Sequence, residues 1–367
     1  MPAANPMRNM LLLSRIYAAA TRLIRLNKVM ISSAERDFAD MNLCIIGFGA
    51  IGPIHAEAVL SIPGVTLYGI CDIDKQHADS GAKKYGAKAY YSFDEVIADD
   101  NIDSVHICTP HYLHYKMITA AADAGKKVVC EKPITMTEEE FDRLAANYSD
   151  YGIFPIIQNR TNKCIRELKR IISEDNTLGK LMGIKGEMTW CRGADYYNSA
   201  EWRGTKMYEG GGVLINQAVH TLDLMVYFGG RPRSVIASMS NKSLKGIIEV
   251  EDTVDARLEF ESGTVGIFYA TNAYSASPQP TLTLNYENAE FLYADGKLYK
   301  DSVKICGDES GFLGKRNWGS GHMRTLYDFY VNHSALGISD ISDTMYAMFG
   351  IYKSAEENSR KVTINCR

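Results

Sequence analysis

No stretch in this 367-residue chain approaches the ~18 uncharged, strongly apolar residues that a membrane-spanning helix needs, so none is expected. Basic charge is not in excess either: 40 Lys and Arg face 44 Asp and Glu, a formal net charge of −4. That balance offers no footprint for nucleic acid or an anionic membrane, and leaves small molecules as the expected partners. There are eight cysteines but no CxxC pair and no disulfide-framework spacing. Cys44, Cys71, Cys108 and Cys130 lie in apolar strand-like runs and read as buried thiols, which suits a reducing cytoplasm. Internal repeats and low-complexity segments are also lacking. With 46% hydrophobic and 23% charged residues the chain is neither disordered nor fibrous, and its length suggests about two domains.

Three regions follow from the patterning. In residues 1–40, Arg8, Arg15, Arg22, Arg25 and Lys28 punctuate Leu11, Leu12, Leu13, Ile16, Leu23 and Ile24, as in an amphipathic helix. Arg15 interrupts the apolar run, which disfavours a secretory signal; an oligomer-contacting arm or a start upstream of a native Met41 is the expectation. Residues 41–160 alternate apolar β runs at 43–46, 65–71, 104–108, 127–130 and 154–157 with helical patterns, which describes a doubly wound parallel sheet. Ser92 with Glu95 and Thr137 with Glu140 fit capping boxes at helix starts. Residues 161–367 change to longer runs of period-two alternation at 255–260, 264–270 and 281–286, the mark of a mostly antiparallel sheet. Helical stretches near 323–332 and 343–358 should pack back across it. The fold class is therefore α/β, a parallel sheet followed by an α/β domain with a large, mostly antiparallel sheet.

Gly47-Phe48-Gly49-Ala50-Ile51-Gly52 directly follows the first strand and precedes a helical run, and Asp72 closes the second strand. In that context the glycines permit the tight turn, the approach of a pyrophosphate and close helix–strand packing, with the helix N-terminus facing the phosphates. Asp72 suits free ribose hydroxyls and repels a 2′-phosphate, so NAD is expected ahead of NADP, although Lys75 lies nearby.

Ligands in open α/β sheets bind beyond the carboxyl ends of the strands. Thr109, Pro110, His111 and His114 end one strand and Glu131-Lys132-Pro133 ends the next, so both segments should border the nicotinamide end of the cofactor. An ammonium at Lys132 can donate to a substrate hydroxyl and stabilise a developing alkoxide. Downstream, Gly210-Gly211-Gly212 precedes Asn216, His220 and Asp223, which recur at helical spacing and should share one face. No third ligand with suitable spacing accompanies His220 and Asp223, so no metal is expected.

Together, the Gly47–Gly52 motif with His55, the Glu131-Lys132-Pro133 segment and the Gly210–Asp223 segment resemble the Gfo/Idh/MocA oxidoreductases across residues 41–365. The resemblance implies a Rossmann domain, a second domain with a large open sheet, a nicotinamide cofactor and substrates drawn from sugars, cyclitols and their derivatives. It also matches Lys132 and His220 to the family's catalytic lysine and histidine. Asn216 departs from the aspartate common at that place, and an amide cannot raise a lysine's pKa by charge. Trp190, Arg192, Tyr196, Tyr197, Trp202 and Arg203 could cover a pyranose face and bind its hydroxyls or carboxylates. Asn159 and Arg160 should border the cleft where the domains join, and His322 should return to it from the C-terminal region. Expected chemistry is NAD-dependent oxidation of a ring secondary alcohol, C3 first, of a pyranose or glycoside, by a homo-oligomer. Glycoside cleavage through transient C3 oxidation, and a cofactor-sensing regulator, are the alternatives.

Overall fold

The computed structural model describes residues 41–308, 321–332 and 336–366; the expected amphipathic arm at 1–40 lies outside them. Six parallel strands form the first sheet: β1 (Met41–Ile46), β2 (Val65–Cys71), β3 (Lys88–Tyr90), β4 (Ser104–Ile107), β5 (Lys127–Cys130) and β6 (Ile153–Pro155). Their order is β3-β2-β1-β4-β5-β6, so the winding reverses between β1 and β4 and opens a crevice at the carboxyl ends of those strands. β-Branched, fully covered segments such as β4 and β5 belong at the centre of such a sheet. The capping boxes form by half. Ser92 and Thr137 accept the N–H of Glu95 and Glu140, but each glutamate reaches the N–H of the residue before the cap, Tyr91 or Met136.

A nine-stranded second sheet follows: β7 (Leu181–Thr189), β8 (Pro232–Ser240), β9 (Thr253–Phe260), β10 (Val265–Thr271), β11 (Thr281–Tyr286), β12 (Glu290–Ala294), β13 (Lys297–Lys300), β14 (Val303–Gly307) and β15 (Val362–Thr363). All its pairings are antiparallel except β7 with β10. Alternation sorts its faces: Val254, Ala256, Leu258 and Phe260 point into the core, and Asp255 and Arg257 point out. The helix Val219–Gly229 lies on the inner face, where Gly186 leaves room for Met225.

The chain does not stay on its own side after residue 160. The helix Ile338–Glu356 packs on β8, as expected, with Ser354 Oγ accepting the Ala237 N–H at 2.9 Å. The helix Gly321–Tyr330 instead returns to the first sheet, burying Leu326, Phe329 and Tyr330 among Leu43, Ile45 and Phe154. Phe154 and Phe329 stack with centroids 5.0 Å apart, a pairing that contributes about 0.5–1.5 kcal/mol beyond its burial. No helix among the described residues is long and apolar enough to cross a membrane. All eight cysteines are free thiols.

Candidate active site

The crevice begins at the Gly47–Gly52 loop. Gly47 has φ +88°, and a Cβ there would stand 2.7 Å from the Cys108 carbonyl, so only glycine lets this turn sit against the end of β4. Around Gly49 a Cβ would meet nothing within 4 Å, which leaves the backbone open to a ligand. The helix Gly52–Val59 starts with no side-chain cap at Ile51; Pro53 has no N–H and the Ile54 and His55 N–H groups turn onto the Ile51 carbonyl, which leaves the Gly52 N–H at the helix start to face phosphate oxygens. Asp72 is fixed by the Phe48 N–H at 2.7 Å and the Asp74 N–H at 2.9 Å. Phe48 turns its ring inward against Tyr85, and Ala50 stays exposed. This cradle fits a dinucleotide pyrophosphate and adenosine ribose.

Next to it, Lys132 reaches from the end of β5 to the helix of the second domain. Its Nζ donates to the Asn216 carbonyl at 2.5 Å and to Asn216 Oδ1 at 3.2 Å. Burial lowers its pKa, against the raising influence of Glu131 and Glu209. The Asn216 amide in turn donates to Glu209, a carboxylate that also accepts the Gly204 N–H. Burial pushes Glu209 up to about 7 despite these hydrogen bonds.

His220 lies one turn beyond Asn216. Burial and then the charge of Lys132 push its pKa down to about 3, so the ring is neutral near pH 7. Its Nε2 meets the Gln158 side-chain amide at 3.2 Å, and its Nδ1 is buried with no partner among the described residues. Residues 214–218 form a π turn ahead of the α-helix, a local widening that frequently marks functional helices. Glu251 supports this segment by accepting the N–H groups of Gly212 at 2.9 Å and Leu214 at 3.1 Å, with Tyr352 OH at 3.0 Å. A Cβ on Gly212 would collide with the Glu251 carbonyl.

Beneath the site runs a buried hydrogen-bond chain. Burial would raise the Glu131 pKa, but hydrogen bonds from His322 and His55 hold it well below the usual carboxylate range. An ionised Glu131 only accepts, so His55 Nε2–H (3.0 Å) and His322 Nε2–H (3.3 Å) donate to it. His55 Nδ1 must then accept from His106 Nδ1–H at 2.9 Å, and His106 Nε2 accepts from Tyr330 OH at 2.8 Å. Ser104 Oγ completes the chain at 2.9 Å from Tyr330. His55, Glu131 and His322 bring ligand-type atoms within 4.8 Å of one another, and this directed chain accounts for their closeness through hydrogen bonding.

Residues 41–153 match the model of an oxidoreductase family with an NAD-binding Rossmann fold, and residues 165–291 match the GFO/IDH/MocA C-terminal domain. The chain belongs to the Gfo/Idh/MocA oxidoreductase family. It is an NAD-dependent dehydrogenase of CH–OH groups. Levoglucosan dehydrogenase of Pseudarthrobacter phenanthrenivorans is 25% identical over 310 residues, 76% of this chain and 79% of that one. Myo-inositol 2-dehydrogenase of Thermotoga maritima is 27% identical over 289 residues, 75% and 81% of the two chains. In fold, the chain is similar to a levoglucosan dehydrogenase in complex with NADH, with TM-score 0.78, 22% identity and 89% and 100% of the two chains covered. The WlbA dehydrogenase from Bordetella pertussis, solved with NADH and UDP-GlcNAcA, gives 0.76 at 22% identity, covering 89% and 100%.

Within this Gfo/Idh/MocA member, several residues expected to touch ligand are engaged by protein partners. Arg160 forks onto Asp223 at 2.8 and 2.6 Å and donates to the Asp340 carbonyl at 3.0 Å, so all three ends of its guanidinium are engaged in the buried domain junction. Asp223 accordingly faces Arg160 and Thr344, while Asn216 faces Lys132: the π turn rotates the two apart, and one common face does not form. His322 is buried on Glu131 because the Gly321 helix packs hard against the Gln158 carbonyl. His114 lies between two carbonyls, Pro133 at 2.6 Å and Thr109 at 2.8 Å, and as a neutral ring donates its single N–H to one of them. Tyr197 is buried with its hydroxyl on Asn272, and Trp190 is held by the Pro278 carbonyl. His111 donates Nδ1–H to the Glu209 carbonyl at 2.8 Å and packs its ring 5.0 Å from Trp202. Thr109 and Pro110 remain at the crevice edge, and Asn159 is half-buried on the Gln158–Thr161 turn. Residues missed in the sequence are Gln158, Glu209, Glu251 and His106, outside the motifs, and Gln217, which lies inside the Gly210–Asp223 segment, donates to Tyr196 OH and accepts from Asn272, both at 3.0 Å. Of the four outside, only Glu209 had a signal, its place immediately before the triple glycine.

Proposed function

We propose that this enzyme oxidises a ring secondary alcohol, C3 in first place, of a pyranose or pyranoside. The observation that carries the reading is Lys132, held on Asn216 one helical turn before a neutral His220 whose Nε2 accepts from the Gln158 amide, beside a stacked cluster of aromatic rings and guanidinium groups. In that cluster Arg203 lies over Tyr196 at 4.4 Å and Trp202 at 4.7 Å, and Arg192 lies over Tyr196 at 5.3 Å and Trp190 at 4.8 Å. Tyr196 and Trp202 offer faces to the C–H side of a sugar, and the guanidinium edges offer donors to its hydroxyls.

NAD, held by Gly47–Gly52 and Asp72, supplies the hydride acceptor when bound. His220 takes the hydroxyl proton at Nε2, the nitrogen that accepts from the Gln158 amide N–H and so carries no proton in the ring that is neutral near pH 7. Lys132 gives two N–H bonds to Asn216 and has a third for the substrate oxygen, which stabilises negative charge as it develops there. Oxidation at C3 leaves C1 free to carry an aglycone. Its likeness to a levoglucosan dehydrogenase and a myo-inositol 2-dehydrogenase supports this class. We also propose a homo-oligomer joined through the outward face of the second sheet, where Ile267 and Tyr269 are exposed; light scattering showing a monomer overturns that part.

The test is a panel of monosaccharides and glycosides with NAD, following NADH and released aglycone, with the product carbonyl located by NMR. A C3 ketone with stoichiometric NADH is expected. Activity confined to acyclic polyols or aldehydes, or a C1 lactone as product, overturns the C3 assignment. Aglycone release without NADH accumulation would establish the eliminating glycosidase instead.

A further inference from the structure

Glu209 ends the short helix Lys206–Glu209 with its side chain buried and, among the described residues, no cation within ion-pair distance. One carboxylate oxygen takes the Gly204 N–H, and the other takes the Asn216 side-chain N–H. Asn216 Oδ1 in turn accepts from Lys132. The three groups therefore form a single line: carboxylate, amide, ammonium. An amide that donates to an anion at one end becomes a better acceptor at the other, because hydrogen bonds in series polarise one another where water is excluded.

We propose that Glu209 is the positioning carboxylate of this active site: through the Asn216 amide it holds Lys132 charged and aimed, as a carboxylate at position 216 would do directly. The proposal rests on the reading of Lys132 as the group that polarises the substrate oxygen. It gives the asparagine a reason: the negative charge sits one residue farther from the substrate, where it is screened from the reacting oxygen. The charged and titratable groups around this line are Lys132, Arg203, His111, Glu131, Glu251, Tyr197 and Tyr352. Arg203 and Lys132 favour the ionised form of Glu209, and burial opposes it.

The test compares Glu209→Gln, Asn216→Asp and the double variant with wild type, reading NADH affinity, KM, kcat and the pH dependence of kcat. Glu209→Gln keeps an acceptor but loses the charge. It should lower kcat on the order of tenfold or more, as loss of an outer-shell partner commonly does, with NADH affinity nearly unchanged. Its alkaline limb should move to lower pH, because Lys132 loses a neighbour that raises its pKa. Adding Asn216→Asp returns the carboxylate to the lysine and should restore both kcat and the limb. If Glu209→Gln fails to fold while the double variant folds with the wild-type limb, the transposed charge is again confirmed. A wild-type pH profile in Glu209→Gln, or a double variant no better than the single one or equally unable to fold, makes Glu209 a holder of the Gly204 loop only and overturns the proposal. Normal turnover of Lys132→Ala would overturn the underlying reading instead, so the two failures are distinguishable.

Discussion

The two sides of the cleft are built in different ways. On the cofactor side the working groups are close in sequence and largely backbone: the turn at Gly47, the uncapped start of the Gly52 helix and an aspartate closing the neighbouring strand. On the substrate side they are side chains gathered from Lys132, Gln158, Glu209, Asn216, His220 and Glu251. A dinucleotide can be held by main-chain donors that any fold of this topology provides. Managing a proton requires groups whose pKa values are displaced, and displacement comes from burial and from neighbours distant in sequence. Charge on the substrate side is accordingly set first by burial and then by buried neighbours such as Glu131 and Lys132.

The comparison can be broken most severely at Lys132. Lys132→Ala and His220→Ala should each lose about 10²–10⁴ in turnover, the usual contribution of a general acid or base, while calorimetry finds NADH affinity nearly unchanged. Either variant with near-normal kcat and verified folding removes that residue from the chemistry. Next in size is Glu251→Ala, which strands two buried N–H groups and the Tyr352 hydroxyl. At about 1–3 kcal/mol for each unsatisfied buried group, thermal unfolding should show a clear loss of stability, and an unchanged Tm would mean the catalytic helix needs no such plug.

On the cofactor side, Asp72→Ser should shrink the preference for NAD over NADP by removing the charge that repels a 2′-phosphate. Titration of both cofactors reads this, and an unaltered ratio would move discrimination elsewhere. A last effect reaches across both sides of the cleft, the pH dependence of stability. Burial lowers the pKa of His55, His106, His111, His114 and His220, so their neutral forms stabilise the fold above the unfolded value of about 6.5. That contribution is lost as pH falls below it, at about 1.4 kcal/mol per pH unit for each imidazole that binds a proton only on unfolding. Glu209 and Glu251, raised by burial, act in the opposite sense, favouring the fold at low pH. With five groups against two, Tm should be lower at pH 5.5 than at pH 7.5; a rise on acidification contradicts the neutral-histidine core.

Legibility in the sequence divided along the same line. The parallel sheet, the glycine loop and Asp72 could be read because period and motif are local, although the three-residue β3 was too short to show. Lys132, Asn216 and His220 could be found by resemblance. What stayed hidden were the partners. The bidentate hold of Asp223 on Arg160 spans 63 positions, and the His106–Tyr330 contact spans 224. A buried histidine inside an apolar strand such as Ser104–Ile107 looks like any polar interruption until the fold places Tyr330 over it. The π turn, which separates Asp223 from Asn216, leaves no mark in a pattern read at 3.6 residues per turn.

The central claim, that this site removes hydride from C3 of a pyranose ring, is tested most directly by isotope transfer. The best substrate of the panel, deuterated at C3, is turned over with NAD, and the deuterium is located by mass spectrometry together with the rate. The account predicts deuterium in the reduced nicotinamide and a slower hydride-transfer step measured in a single turnover. Unlabelled NADH with the label retained at C3 of the product would contradict it.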